Sequence, residues 1–151
     1  MYGPGVVSLA TADFNGDGWT DLTSVNQVSR TVSVVLNDAR CAMLSVKNFT
    51  AGDFALEGGP RAVISADFNG DGHLDLATIN YEPSEEAERR ERRTSVPEHD
   101  GSGTVSVLVG DGAGEFAGAP HFAAGAWPAG IAAGDFNGDA RVDLVVADRA
   151  A

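Results

Sequence analysis

One ten-residue motif occurs three times in this chain, and it limits the fold more than any other feature of the sequence. The copies read Asp13-Phe14-Asn15-Gly16-Asp17-Gly18-Trp19-Thr20-Asp21-Leu22, Asp67-Phe68-Asn69-Gly70-Asp71-Gly72-His73-Leu74-Asp75-Leu76 and Asp135-Phe136-Asn137-Gly138-Asp139-Ala140-Arg141-Val142-Asp143-Leu144. Seven of the ten positions are identical in all three. Repetition at this level means one supersecondary unit built more than once, with each copy burying its apolar face against its neighbour.

The flanks say what the unit is. Short runs of apolar and small residues precede each motif (7–12, 61–66, 129–134) and follow it (22–26, 76–80, 144–147), with the composition and length of β-strands. A β-branched alternation, Arg30-Thr31-Val32-Ser33-Val34-Val35-Leu36 and Gly103-Thr104-Val105-Ser106-Val107-Leu108-Val109, supplies a third strand. Turns at Asn37-Asp38 and at Gly110-Asp111-Gly112-Ala113-Gly114 lead to a fourth, running through Phe49 in one copy and Phe122 in the other. Each repeat is expected to be a four-stranded antiparallel meander, and the chain an all-β single repeat domain over 1–151. The repeats fall at 5–58, 59–126 and an incomplete 127–151.

The first two motifs begin 54 residues apart and the second pair 68 apart. The surplus lies in 82–102, a densely charged stretch between second and third strands. Its Glu85/Arg89, Glu86/Arg90 and Glu88/Arg92 spacings suit a marginal surface helix, and a solvated loop is the plainer reading.

The chemistry of the chain is concentrated in the aspartate loops. A hard divalent cation takes six to eight oxygen ligands, and a short turn presents them from alternating positions. The side chains of Asp13, Asn15, Asp17 and Asp21, with the backbone carbonyl of Trp19, have that spacing. The equivalent sets are Asp67, Asn69, Asp71, Asp75 and the His73 carbonyl, then Asp135, Asn137, Asp139, Asp143 and the Arg141 carbonyl. Carboxylates mixed with carbonyls favour Ca2+ over Mg2+, and Zn2+ is disfavoured because no Cys/His cluster is present. The loop is not an EF-hand, since Ser24, Thr78 and Val146 stand where a bidentate Glu belongs and the flanks are strands. Up to three calcium ions are expected. The third site should be weakest, because Ala140 replaces the glycine of Gly18 and Gly72 at a position needing positive φ.

Charge narrows the partners. A formal net charge of −12 repels nucleic acid and anionic membranes and leaves cations as natural partners. No stretch is long and apolar enough to span a bilayer, and the single cysteine, Cys41, allows no intrachain disulfide. His73, His99 and His121 occupy non-equivalent positions, and no nucleophile elbow or phosphate loop is present. Phe14, Phe68 and Phe136, with Leu22, Leu76 and Leu144, are expected to pack between repeats.

The loop, the Thr-Val-Ser-Val strand and the Gly-Asp-Gly-x-Gly-x-Phe turn together resemble the FG-GAP/VCBS repeats of integrin alpha-subunit propellers and of many bacterial surface and secreted proteins. The resemblance implies a partial β-propeller of four-stranded blades, two complete and half of a third, with calcium in the hairpin between a blade's first and second strands. It implies protein or carbohydrate ligands on the opposite face, where the insertion and Trp127 would lie, and an extracellular or cell-surface location. The opening Met1-Tyr2-Gly3-Pro4-Gly5 shows no export signal. Two and a half blades imply further blades from a longer chain, or self-association. A non-catalytic adhesion or binding scaffold is the leading expectation. The alternatives are part of a secreted propeller enzyme such as a polysaccharide lyase, for which Tyr81, His99 and His121 are the local candidates, and a purely structural spacer.

Overall fold

In the computed structural model, residues 5–37, 45–50, 59–81 and 102–149 are described. The charged stretch over 82–101, Cys41 and His99 lie outside them. The described residues hold ten strands and no helix. The strands are β1 (Val6–Ala12), β2 (Asp21–Asn26), β3 (Thr31–Leu36), β4 (Ser45–Thr50), β5 (Pro60–Ala66), β6 (Asp75–Asn80), β7 (Ser102–Gly110), β8 (Phe116–Ala126), β9 (Pro128–Gly134) and β10 (Asp143–Asp148).

They form three antiparallel sheets in sequence order, β1-β2-β3-β4, β5-β6-β7-β8 and β9-β10. The expected four-stranded meander is therefore realised twice, and its first two strands a third time. Even the irregularities repeat. The first strand of each sheet carries one unpaired residue at the same place, Val7, Arg61 or Ala129, where the register against the second strand shifts. Such a bulge sets two residues of the first strand against one of the second and adds local twist.

The sheets are layered in chain order. β5 lies against β1 and β2, and β9 against β5 and β6. Strand alternation sends successive side chains to opposite faces, so the second sheet has one face toward the first sheet and one toward the third, and the outer sheets each turn one face to it. From the first sheet Phe14, Val25, Val32 and Val34 point forward and meet Val63, Leu76, Leu108 and Phe116 of the second. From the second sheet Ala77, Ile79 and Val105 point forward and meet Ile131, Leu144 and Val146 of the third. Phe116 is wedged between Phe14 and Phe49, edge-on to both, with centroids 5.7 and 5.3 Å away. A Lys47–Glu115 ion pair spans the same two sheets at the surface.

The motif Phe and Leu thus face opposite ways, and each is buried only where a neighbouring sheet exists on its side. Phe14 is 2 % exposed, Phe68 is half-buried and Phe136 is 59 % exposed. Leu76 is fully buried, whereas Leu22 faces away from the second sheet and is exposed.

Candidate metal centre

The three aspartate loops connect β1 to β2, β5 to β6 and β9 to β10, so antiparallel topology puts all three at the same end of their sheets. The first aspartate shapes each loop. Asp13 Oδ1 accepts the Gly16 and Asp17 amides at 2.8 and 3.2 Å, and Oδ2 accepts the Gly18 amide at 2.8 Å. Asp67 receives the corresponding amides of Gly70, Asp71 and Gly72. Asp135 receives those of Gly138, Asp139 and Ala140. Curling the backbone around one carboxylate requires left-handed residues at two places. The sixth residues, Gly18, Gly72 and Ala140, have φ of 86°, 87° and 65°, and the fourth, Gly16, Gly70 and Gly138, are also positive. Ala140 is therefore held in a conformation that costs an alanine about 1 kcal/mol. The need at the fourth position is legible in the Asn-Gly step that all three copies share.

Backbone amides also hold down the pKa of particular loop carboxylates. The Gly18 amide, with those of Gly16 and Asp17, holds the Asp13 carboxyl below its ordinary value, and the Ala140 amide does the same for Asp135. Asp71 is held down by the His73 amide and by the Asn69 side chain. Positions 3 and 5 are linked in every loop. Asn15 donates to Asp17 Oδ2 and accepts the Asp17 amide, and the same pair recurs at Asn69/Asp71 and Asn137/Asp139.

The ninth aspartate stands apart from the others. Asp21 and Asp75 are 1 % and 0 % exposed. Asp21 accepts the Phe14 amide at 2.9 Å and the Asn37 amide at 2.7 Å, so it ties the start of its loop to the exit of β3. Asp75 does the same with Phe68 and Gly110, at 3.0 and 2.9 Å. Asp143 keeps the Phe136 amide at 3.0 Å, while its other oxygen has a 3.4 Å contact from Asn137 Nδ2. A Cβ at Gly110 would lie 2.2 Å from the Leu74 carbonyl oxygen, so the second loop as built takes glycine there, whereas Asn37 makes the equivalent tie in the first. Neither Asn37 nor Gly110 is identifiable from the motif, since they lie 16 and 35 residues beyond their aspartates, at the exit of another strand.

Sequence spacing thus brings positions 1, 3 and 5 together at the solvent-exposed rim and the ninth beneath them. Among the described residues no three Asp, Glu, His or Cys side chains are disposed as a metal cluster. The donor chemistry nevertheless fits a hard cation. Every side-chain donor in the three ligand sets is an oxygen, and although Oδ1 of each first aspartate accepts two amides, its Oδ2 accepts one and keeps a second lone pair. A cleft of about 560 Å3 opens between the second and third loops, with Asp67, Asn69 and Gly70 on one side and Ala140, Arg141 and Val142 on the other.

The aromatic residues at the far end of the second sheet are occupied in packing. Trp127 is buried, edge-on to Tyr81 at 5.4 Å, and the Arg61 guanidinium lies 4.8 Å over the Tyr81 ring. His121 is exposed, with Nδ1 2.7 Å from Ser106 Oγ.

A family model described as an FG-GAP-like repeat matches residues 13–78 and 95–146, and a model of the FG-GAP repeat matches residues 59–108. Comparison with curated proteins finds no match.

Proposed function

Because the chain belongs to the FG-GAP repeat family, we propose that it is a stretch of an integrin-type β-propeller, with its three sheets as successive blades and calcium held in the three aspartate loops. The observation that carries this reading is the loop itself. One oxygen-only, carboxylate-closed turn is built three times with the same hydrogen bonds, at the same end of three layered sheets. Asp13, Asn15, Asp17, Asp21 and the Trp19 carbonyl form the first ligand set, with the homologous sets in the other two loops.

Calcium there would supply charge compensation and cross-linking for three carboxylates per loop, and three ions would halve the formal charge of −12. Asp13 and Asp135, whose carboxyls backbone amides hold below the ordinary value, need not lose a proton to bind. FG-GAP repeats commonly occur in extracellular proteins, where calcium is abundant, and no helix among the described residues is long and apolar enough to cross a membrane.

On this reading the chain is a non-catalytic, calcium-stabilised scaffold. Its partner-binding surface for protein or carbohydrate is at the end opposite the loops, where β2–β3 and β6–β7 connect and Trp127 joins β8 to β9. Titration calorimetry tests the metal assignment. Three calcium ions should bind, Mg2+ should compete poorly, and Asp13→Ala with Asp17→Ala should remove one equivalent. Absence of calcium heat in the intact chain would refute it.

A further inference from the structure

At the end opposite the aspartate loops the three repeats share their backbone and differ in side chains. In each, the residue leaving the second strand donates its amide to the carbonyl of the residue before the first, Gln27 to Gly5, Tyr81 to Gly59 and Arg149 to Trp127, at 3.2, 3.1 and 3.0 Å. Two residues past that carbonyl the unpaired bulge position is Val7, Arg61 or Ala129. The shared bond and bulge dictate none of these side chains, yet three of them assemble beside the second sheet. The Arg61 guanidinium lies 4.8 Å over the Tyr81 ring, and its Nε donates to the Tyr81 carbonyl at 3.2 Å. Trp127 meets the same ring edge-on, with 5.4 Å between centroids. Its φ is 58°, which bulky residues rarely adopt, whereas neither Gly5 nor Gly59 is left-handed. Backbone strain of this kind persists where packing over-determines it, and it collects at ligand sites. The ring and the Tyr81 carbonyl take up one face and one N–H of the guanidinium. Among the described residues no carboxylate pairs with Arg61, and its Nη1 and Nη2 donors have no acceptor.

We infer that Arg61 is the binding site for a side-chain carboxylate on an acidic peptide segment of a protein partner. The two Nη groups take its two oxygens as a bidentate pair, a geometry that a guanidinium offers and an ammonium does not. An exposed arginine gives up side-chain freedom to hold such a pair, which leaves most surface ion pairs weak. Arg61 has already given it up to the Tyr81 ring and carbonyl, so more of the interaction appears as affinity. A sugar partner is disfavoured. Trp127 is 5 % exposed and Arg61 covers a face of Tyr81, which leaves little aromatic surface for a pyranose to stack on. Arg61 and Tyr81 belong to the middle sheet, which has a neighbouring sheet on each side, so the cluster owes nothing to an uncovered outer face. The inference rests on the reading that this end of the sheets receives the partner; it names the partner's chemistry and makes no use of the loop calcium.

The probe is an acetylated, amidated tetraglutamate, titrated into the calcium-saturated whole protein while arginine Nε–Hε and backbone amide resonances are followed by NMR. The Arg61 Nε–Hε signal should shift saturably, together with the Tyr81 and Trp127 amides. The corresponding tetraglutamine peptide should leave all three unmoved, and this arm does not alter the protein. Arg61→Lys keeps the charge and loses the fork, so it should weaken binding about tenfold. Arg149→Gln removes a charge at the same end without touching the stack, and should weaken it by no more than about twofold. Calcium stoichiometry, measured on the same samples, should be equal in the three proteins, so the scaffold reading is tested separately. No saturable shift at Arg61, equal weakening by the two substitutions, or tighter binding of tetragalacturonate would each overturn the inference and leave the calcium assignment standing. Shifts confined to the aspartate loops would mean a peptide bridged by calcium, and would overturn the inference together with the placement of the partner surface.

Discussion

Asp75 Oδ1 accepts the Gly110 amide at 2.9 Å, across 35 residues of sequence, while Oδ2 accepts the Phe68 amide that opens its own loop. A single buried carboxylate therefore fixes the loop to the exit of the third strand, and Asp21 makes the equivalent tie through Asn37. Position nine serves the fold as well as any ion bound above it, because its two amide partners have no water to turn to when it is removed.

Asp75→Ala should cost about 3 kcal/mol in urea unfolding without calcium, from two charge-assisted bonds lost and two amides left unpaired. Asp143→Ala, with one short amide bond at a partly exposed site, should cost about 1 kcal/mol. Equal losses at the two positions would contradict a role that depends on the third strand.

Phe14→Ala should destabilise the protein by about 3–5 kcal/mol, because it empties the cluster around Phe116. Phe136→Ala, at the same motif position, should change stability by no more than about 0.5 kcal/mol, because the ring is mostly in solvent. Thermal or urea unfolding of the two variants side by side checks this.

Ala140→Gly should raise stability by about 1 kcal/mol by removing a left-handed alanine. Ala140 strains the third loop in its curled form, so the same change should tighten its calcium site by up to about fivefold. Gly18→Ala should do the reverse at the first site. Calorimetry of both variants distinguishes a strained loop from a ligand set that is intrinsically poor.

Asp111 caps the β7–β8 turn through the Ala113 and Glu115 amides, which hold its carboxyl below its ordinary value of 3.8. A depressed folded-state pKa adds stability above the unfolded value, and that stability is lost as pH falls through the folded value. The stabilisation should thus be complete above about pH 5 and fall away below about pH 4. In Asp111→Asn this part of the acid dependence should be absent from unfolding curves measured between pH 6 and pH 3.

The strands and loops were legible because their causes are local. Alternation of apolar and polar residues over 30–36 and 103–109 placed β3 and β7 to within a residue at each end, and the recurrence of Asp-Phe-Asn-Gly-Asp placed three hairpins in one register. Spacing likewise grouped positions 1, 3 and 5 at each rim, since a tight turn leaves few ways to arrange them. The bulges at Val7, Arg61 and Ala129 and the partner amides of Asn37 and Gly110 carried no such signal. They depend on how one strand meets another, and the pairing residues are far apart in sequence.

By itself, then, the sequence determined the unit: four strands, an aspartate hairpin, and a Phe and a Leu on opposite faces. Tertiary structure decided what becomes of identical residues. Phe14, Phe68 and Phe136 share one motif and one local conformation, yet they are buried, half-buried and exposed in turn. Asp75 holds two short amide bonds where Asp143 holds one. A motif fixes where a side chain points, but burial and hydrogen bonding require a neighbour on that side, and only the layering of the sheets supplies one.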